Sequence, residues 1–155
     1  MVLPSSFVLM SDANVLFFTE DIDFAFLHKK AAKDWLIYVA TNEGNSVKNA
    51  NIIFCSDQYI LSINKEYLAH NYFTDIITFP LMDAGAPIET DIFISIDTVR
   101  SNAEDRSITF EKELLRVIVH GFLHMLGYGD KTETQQKKMR EREDFYLNYF
   151  YANYF

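Results

Sequence analysis

The chain has 155 residues, of which 49% are hydrophobic, 15% aromatic and 23% charged, the balance of one globular domain with a sizeable core. With only five glycines and three prolines, collagen-like, low-complexity and linker-dominated classes are excluded. A formal net charge of −8 excludes a protein that coats nucleic acid through a general positive field, so any phosphate chemistry must use a local site.

The opening segment, Met1 to Met10 (MVLPSSFVLM), lacks a basic n-region, a full-length apolar run and a small-residue cleavage site. It does not read as a secretory signal, and the cytoplasm is the expected location. No stretch reaches the roughly 18 apolar residues needed to cross a bilayer, so a soluble protein is expected. Asn14 to Thr19 (NVLFFT) reads as a strand. Asp21 to Ala40 places Phe24, Leu27, Ala31, Trp35 and Tyr38 at helical spacing, and Asn42, Gly44 and Asn45 break the pattern.

Ala50 to Cys55 (ANIIFC) is a second strand candidate. Cys55 is the sole cysteine, so a disulfide framework is impossible, a reducing compartment is the natural reading and a buried free thiol is expected. Ser56 or Asp57 can cap a helix over Gln58 to Leu68, completing a β-α-β-α opening. Asp75 to Pro80 (DIITFP) and Asp91 to Ile96 (DIFISI) are two further strands, hairpin neighbours about a turn at Asp83 to Pro87.

Ser107 or Thr109 supplies a cap for Glu111 to Leu126, a helix apolar on nearly every side and therefore the buried one. Gly127 can end it in a left-handed residue, and Thr132 to Phe150 forms a last charged and aromatic helix. Phe145, Tyr146, Tyr149, Phe150, Tyr151, Tyr154 and Phe155 could offer a stacking platform, but their spacing fits an amphipathic face packed back on the domain. Lys131, Lys137, Lys138, Arg140 and Arg142 alternate with Glu133, Glu141 and Glu143, which reads as a salt-bridged solvated helix with no site role. The expected architecture is α+β, a single domain over residues 1–155 in which helices cover a small mixed four-stranded sheet.

The chemistry concentrates in His120 to Asp130 (HGFLHMLGYGD). His120 and His124 stand one helical turn apart and project from one face, where their imidazoles can share one ion. Gly127 lets the chain double back and bring Asp130 round as a third ligand, leaving a fourth tetrahedral position for water. The plainer alternative is two core histidines satisfied by backbone groups, but unpaired imidazoles within so apolar a helix would be costly. Zinc is the first choice for two nitrogens and a carboxylate, with iron(II), nickel and manganese also compatible. The site would then sit at the end of the buried helix. The spacing follows the metzincin pattern, but position 121 is Gly where those proteases need a Glu base, which disfavours peptide hydrolysis.

This segment resembles the signature of the YbeY family of bacterial endoribonucleases that mature ribosomal RNA, His-Gly-x-Leu-His-x-x-Gly-Tyr-Asp-His. Asn64-Lys-Glu-Tyr67, Thr74-Asp75-Ile-Ile-Thr-Phe79-Pro80 and Asp91-Ile-Phe-Ile-Ser95 resemble further family segments, so the likeness runs from about Ile53 to Lys131. It implies a single α+β domain with one zinc ion on His120, His124 and Asp130. It also implies cleavage of single-stranded ribosomal RNA precursors, 16S 3′ end processing, a part in ribosome quality control and association with the small ribosomal subunit. No DNA or membrane partner is implied.

Three positions depart from the family pattern: Asp130 replaces the usual third His, with Gly129 before it. Leu68 stands where the family carries an Arg after its Tyr, and Thr90 replaces a Gly. Asp is a competent zinc ligand, and its negative charge should make a bound water somewhat less acidic. His70 or Arg116 could replace the missing positive group, though a solvated surface role suits each equally. Because Gly121 cannot act as a base, proton transfer would fall to zinc hydroxide or to Asp75 or His70; the plainer reading of Asp75 is a strand-start carboxylate bonding backbone. Two other readings stay open: a non-catalytic ribosome-assembly factor with a structural metal, and a metal hydrolase on another substrate.

Overall fold

The computed structural model describes residues 13–69 and 74–154. The Met1–Met10 segment, His70 and Phe155 lie outside the described residues. Along the chain run β1 (Asn14–Thr19), α1 (Lys29–Asn42), β2 (Val47–Cys55), α2 (Asp57–Leu68), β3 (Ile76–Pro80), β4 (Ile88–Ser95), α3 (Ile96–Asp105), α4 (Phe110–Met125) and α5 (Glu133–Asn153). The strands form one four-stranded sheet in the order β1-β2-β4-β3. β1, β2 and β4 are parallel, and β3 closes the edge antiparallel to β4. This is the α+β domain with a mixed sheet that the sequence predicts.

Period-two alternation splits the strands between two cores. Ile52 and Phe54 of β2 with Ile92 and Ile94 of β4 face the main core with α1, α4 and α5. Cys55, Ile77 and the partly buried Phe93 face the other way, onto Ile60 and Ile63 of α2. Cys55 is fully buried, and burial pushes its thiol up to about 12, so it is the inert free thiol expected. The aromatic tail packs back on the domain: Trp35 of α1 donates from Nε1 to the Tyr146 carbonyl at 2.9 Å, and its ring meets Phe150 edge-on at 5.0 Å. Phe145 is the exception and remains exposed.

Two elements differ from expectation. The helix predicted over Asp21 to Ala40 begins only at Lys29. Asp21 takes a positive φ of 43° and its carboxylate accepts from the Ser56 backbone N–H at 3.1 Å, so the segment is tied across the start of α2 instead of coiling. Phe24 and Phe26 then pack on Phe54 at centroid distances of 5.2 and 5.4 Å, while Leu27 is left exposed. Tertiary aromatic contacts outweigh helical spacing there. The second difference is α3, absent from the sequence reading because Ile96 looks like the end of a strand. Ser95 instead caps a helix, its hydroxyl accepting from the Thr98 N–H at 3.2 Å.

Candidate metal centre

Helix α4 carries the site, and its ends are chemically specified. Thr109 caps the start, accepting from the Lys112 N–H at 3.1 Å, with Glu111 and Glu113 in the first turn where they meet the positive end of the helix dipole. At the other end the Tyr128 N–H reaches the Leu123 carbonyl at 3.0 Å and the Gly127 N–H reaches the His124 carbonyl at 3.1 Å. These two bonds form a Schellman motif, which needs the positive φ that Gly127 supplies at 100°. The turn sends the chain back toward the histidines that precede it.

Gly121 explains how α4 comes so close to the sheet. A Cβ at this position would lie 2.8 Å from Ile76 Cδ1 and 3.4 Å from Ile92 Cδ1. The residue that occupies the metzincin Glu position is therefore pressed against β3 and β4, facing away from the opening. A side chain there, basic or otherwise, would force Ile76 or the helix to move.

The three residues picked out by the sequence come together. His120 Nε2 and His124 Nε2 are 3.0 Å apart, and Asp130 Oδ2 lies 3.3 Å from the first and 3.2 Å from the second. The opposite ring nitrogens are both held by acceptors: His120 Nδ1 by Glu143 Oε2 at 2.6 Å and His124 Nδ1 by the Tyr128 carbonyl at 2.9 Å. Those acceptors place the ring proton on Nδ1 and leave a lone pair on each Nε2. With the rings in that tautomer, two nitrogen lone pairs and a carboxylate oxygen converge with no donor among them, an arrangement suited to a shared cation. The donor set and its spacing fit one metal ion.

Glu143 is the residue that sequence reasoning missed. It is buried on α5, and its other oxygen takes a 3.1 Å hydrogen bond from Arg116. The signal was available, because the buried positions of α5 are Met139, Glu143, Tyr146, Leu147 and Phe150, and a carboxylate within that apolar stripe requires a partner. The reading of this segment as a salt-bridged solvated face holds for the exposure of Lys131, Lys137, Lys138, Arg140, Glu133 and Glu141 and is corrected for Glu143 and for the pairing. Among the described residues, Lys131, Lys137, Lys138 and Arg140 have no carboxylate within ion-pair distance, and Arg142 lies 4.0 Å from Glu43.

A cleft of about 620 Å³ opens beside His120 and Asp130, and Asp75, Arg106, Arg116, Glu113 and Arg140 are among its lining residues. Arg116 is not a solvated surface residue: it is 17% exposed and bonded to Glu143 and Asp144. Buried Glu113 is gripped by Arg106 through two 3.1 Å hydrogen bonds. Burial raises the pKa of Asp75, against the lowering pull of nearby His120, whereas its backbone carbonyl accepts from the Ser95 N–H at 2.9 Å. Burial lowers His120, but the hydrogen bond and charge of Glu143, with Asp130 and Asp75 behind it, leave its pKa above the ordinary value. Leu68, in the position of the family Arg, is the last residue of α2 and exposed.

The loop is braced from outside as well. The Tyr128 hydroxyl donates to Glu43 Oε1 at 2.6 Å, and the Tyr146 hydroxyl donates to the other oxygen of the same carboxylate. Glu43 follows α1 directly, so three helices are clamped behind the cluster.

An α+β sheet with a His-x-x-x-His helix and a returning carboxylate is a frame that can hold a metal ion. The family model for endoribonuclease YbeY matches residues 15–151, and the chain belongs to that family, whose members are hydrolases that cut RNA internally. Endoribonuclease YbeY of Cytophaga hutchinsonii is 42% identical over 139 residues, covering 90% of this chain and 97% of the relative. That of Amoebophilus asiaticus is 41% identical over 138 residues, covering 89% and 94% respectively. The solution structure of TM1509 from Thermotoga maritima superposes with a TM-score of 0.65 at 28% identity, covering 90% of this chain and 91% of that one.

Proposed function

We propose that this chain is a zinc-dependent endoribonuclease specific for single-stranded RNA, with His120, His124 and Asp130 holding the ion. The convergence of two Nε2 lone pairs and Asp130 Oδ2 within about hydrogen-bond distance carries the reading. A zinc ion held by these three residues would supply Lewis-acid chemistry, activation of water at neutral pH and polarisation of a phosphoryl oxygen. The protein groups do the rest. Glu143 keeps the His120 proton on Nδ1 and the Tyr128 carbonyl does the same for His124, so both rings present their lone pairs without rearrangement. Asp75 lines the same cleft and its pKa is raised by burial, which supports a role in taking up or returning a proton during cleavage.

Family membership and the sequence resemblance support the finer assignment. It comprises ribosomal RNA precursors as substrate, including the 16S 3′ end, a part in ribosome quality control, association with the small ribosomal subunit, and action in the cytoplasm. Among the described residues no helix is long and apolar enough to cross a membrane. The test is cleavage of single-stranded and duplex RNA by purified protein before chelation, after chelation and after zinc is returned. Cleavage of the single strand that disappears with chelator, returns with zinc and is absent in His124→Ala supports the reading. Cleavage indifferent to chelator overturns it.

A further inference from the structure

We propose that Arg140 grips a backbone phosphate of the RNA beside the metal centre, an inference that rests on the nuclease reading above and specifies how its substrate is held. Three guanidinium groups line the cleft: Arg106, Arg116 and Arg140. Two of them are committed. Arg106 Nη1 donates to both oxygens of Glu113, and Arg116 Nη1 is shared between Glu143 and Asp144 at 3.1 Å each. Arg140 is exposed on α5 and, among the described residues, has no carboxylate within ion-pair distance. It is the cleft arginine whose charge is available to a ligand.

Its position ties it to the cluster. Along α5, Arg140 stands one turn after Gln136, whose side-chain amide donates to the Asp130 carbonyl at 3.1 Å, and one turn before Glu143, which holds His120. An anion on Arg140 is therefore held by the same helix that orders both ends of the three-residue cluster.

The charge balance gives this group its importance. With a net charge of −8 the protein repels a polyanion at long range, so RNA affinity has to come from local uncompensated cations. A guanidinium matches two phosphate oxygens with two parallel N–H groups, which an ammonium cannot do. Lys131, Lys137 and Lys138 lie on or just before the same helix, but none of them is part of the cleft wall.

The experiment titrates a short fluorescein-labelled single-stranded RNA against the full chain in chelator, so that nothing is cut, and then measures KM and kcat for the zinc-loaded protein. Arg140→Ala should weaken binding about tenfold, the size of one charge-assisted contact, and should lower the slope of log affinity against log salt by about 0.7. KM should rise with kcat largely kept, Arg140→Lys should recover part of the loss, and Lys138→Ala should change neither constant. Wild type that cuts RNA, with Arg140→Ala unchanged or with Lys138→Ala equally impaired, overturns the assignment to Arg140 alone. Wild type that neither binds nor cuts RNA overturns the nuclease reading and this assignment with it.

Discussion

Glu143 Oε2 lies 2.6 Å from His120 Nδ1, joining the buried stripe of α5 to the far turns of α4. A carboxylate behind an imidazole fixes the tautomer and raises the basicity of the nitrogen that faces the metal. Glu143→Gln keeps the shape and removes the charge. It should weaken zinc binding by about 10- to 100-fold, read by competition with a chromophoric chelator. Arg116 keeps Asp144 and Glu113 as partners in the variant, so the fold should survive. Zinc affinity equal to wild type would mean that His120 needs no support from α5.

Gly121 tests how closely α4 must approach the sheet. With Ile76 Cδ1 only 2.8 Å from where a Cβ would sit, Gly121→Ala forces the helix or the side chain to move, at a cost of about 1–3 kcal/mol. Thermal melts of Gly121→Ala, Ile76→Val and the double variant would show the coupling directly. The double variant should lose less than the two single losses added together. Strict additivity would place the strain elsewhere.

Asp75 makes an opposite prediction for stability and activity. Burial raises its folded pKa above the usual aspartate range, so the charged form is a cost to the fold. Protonation relieves that cost: the penalty is absent below the unfolded pKa and appears in full once the pH exceeds the folded one. Asp75→Asn should therefore melt higher than wild type at pH 7 in the metal-free state, with the difference closing as the pH falls toward the unfolded value. The same variant should cut RNA more slowly if Asp75 moves a proton. A lower melting point at pH 7 would show that the Asp75 charge is paid back by contacts within the cleft.

Much of this was legible in the sequence where local chemistry and tertiary structure agree. Ser56 and Thr109, each one of two candidates in the sequence, cap their helices, and Thr132, read as the first residue of α5, instead caps it in a capping box with Gln135. The spacing of His120 and His124 and the stop at Gly127 led to the cluster because a helix turn and a left-handed residue are properties of a few neighbouring residues. Glu143 was hidden because its partner lies 23 residues away and because, alternating with Arg140, Glu141 and Arg142, it read as part of a solvated run. The false helix start at Asp21 has the same cause: Phe24 at helical spacing is committed to Phe54 and Phe110, which only the folded chain brings within reach.

The central claim is that His120, His124 and Asp130 hold one ion in common, and metal content per chain tests it most directly. Elemental analysis of purified wild type, His120→Ala, His124→Ala and Asp130→Ala should find about one zinc per chain in the first and strongly reduced metal in all three variants, because three protein ligands define the site. A wild type that takes up no metal after reconstitution, or variants that keep it in full, would contradict the account and leave the converging imidazoles as a hydrogen-bonded structural pair.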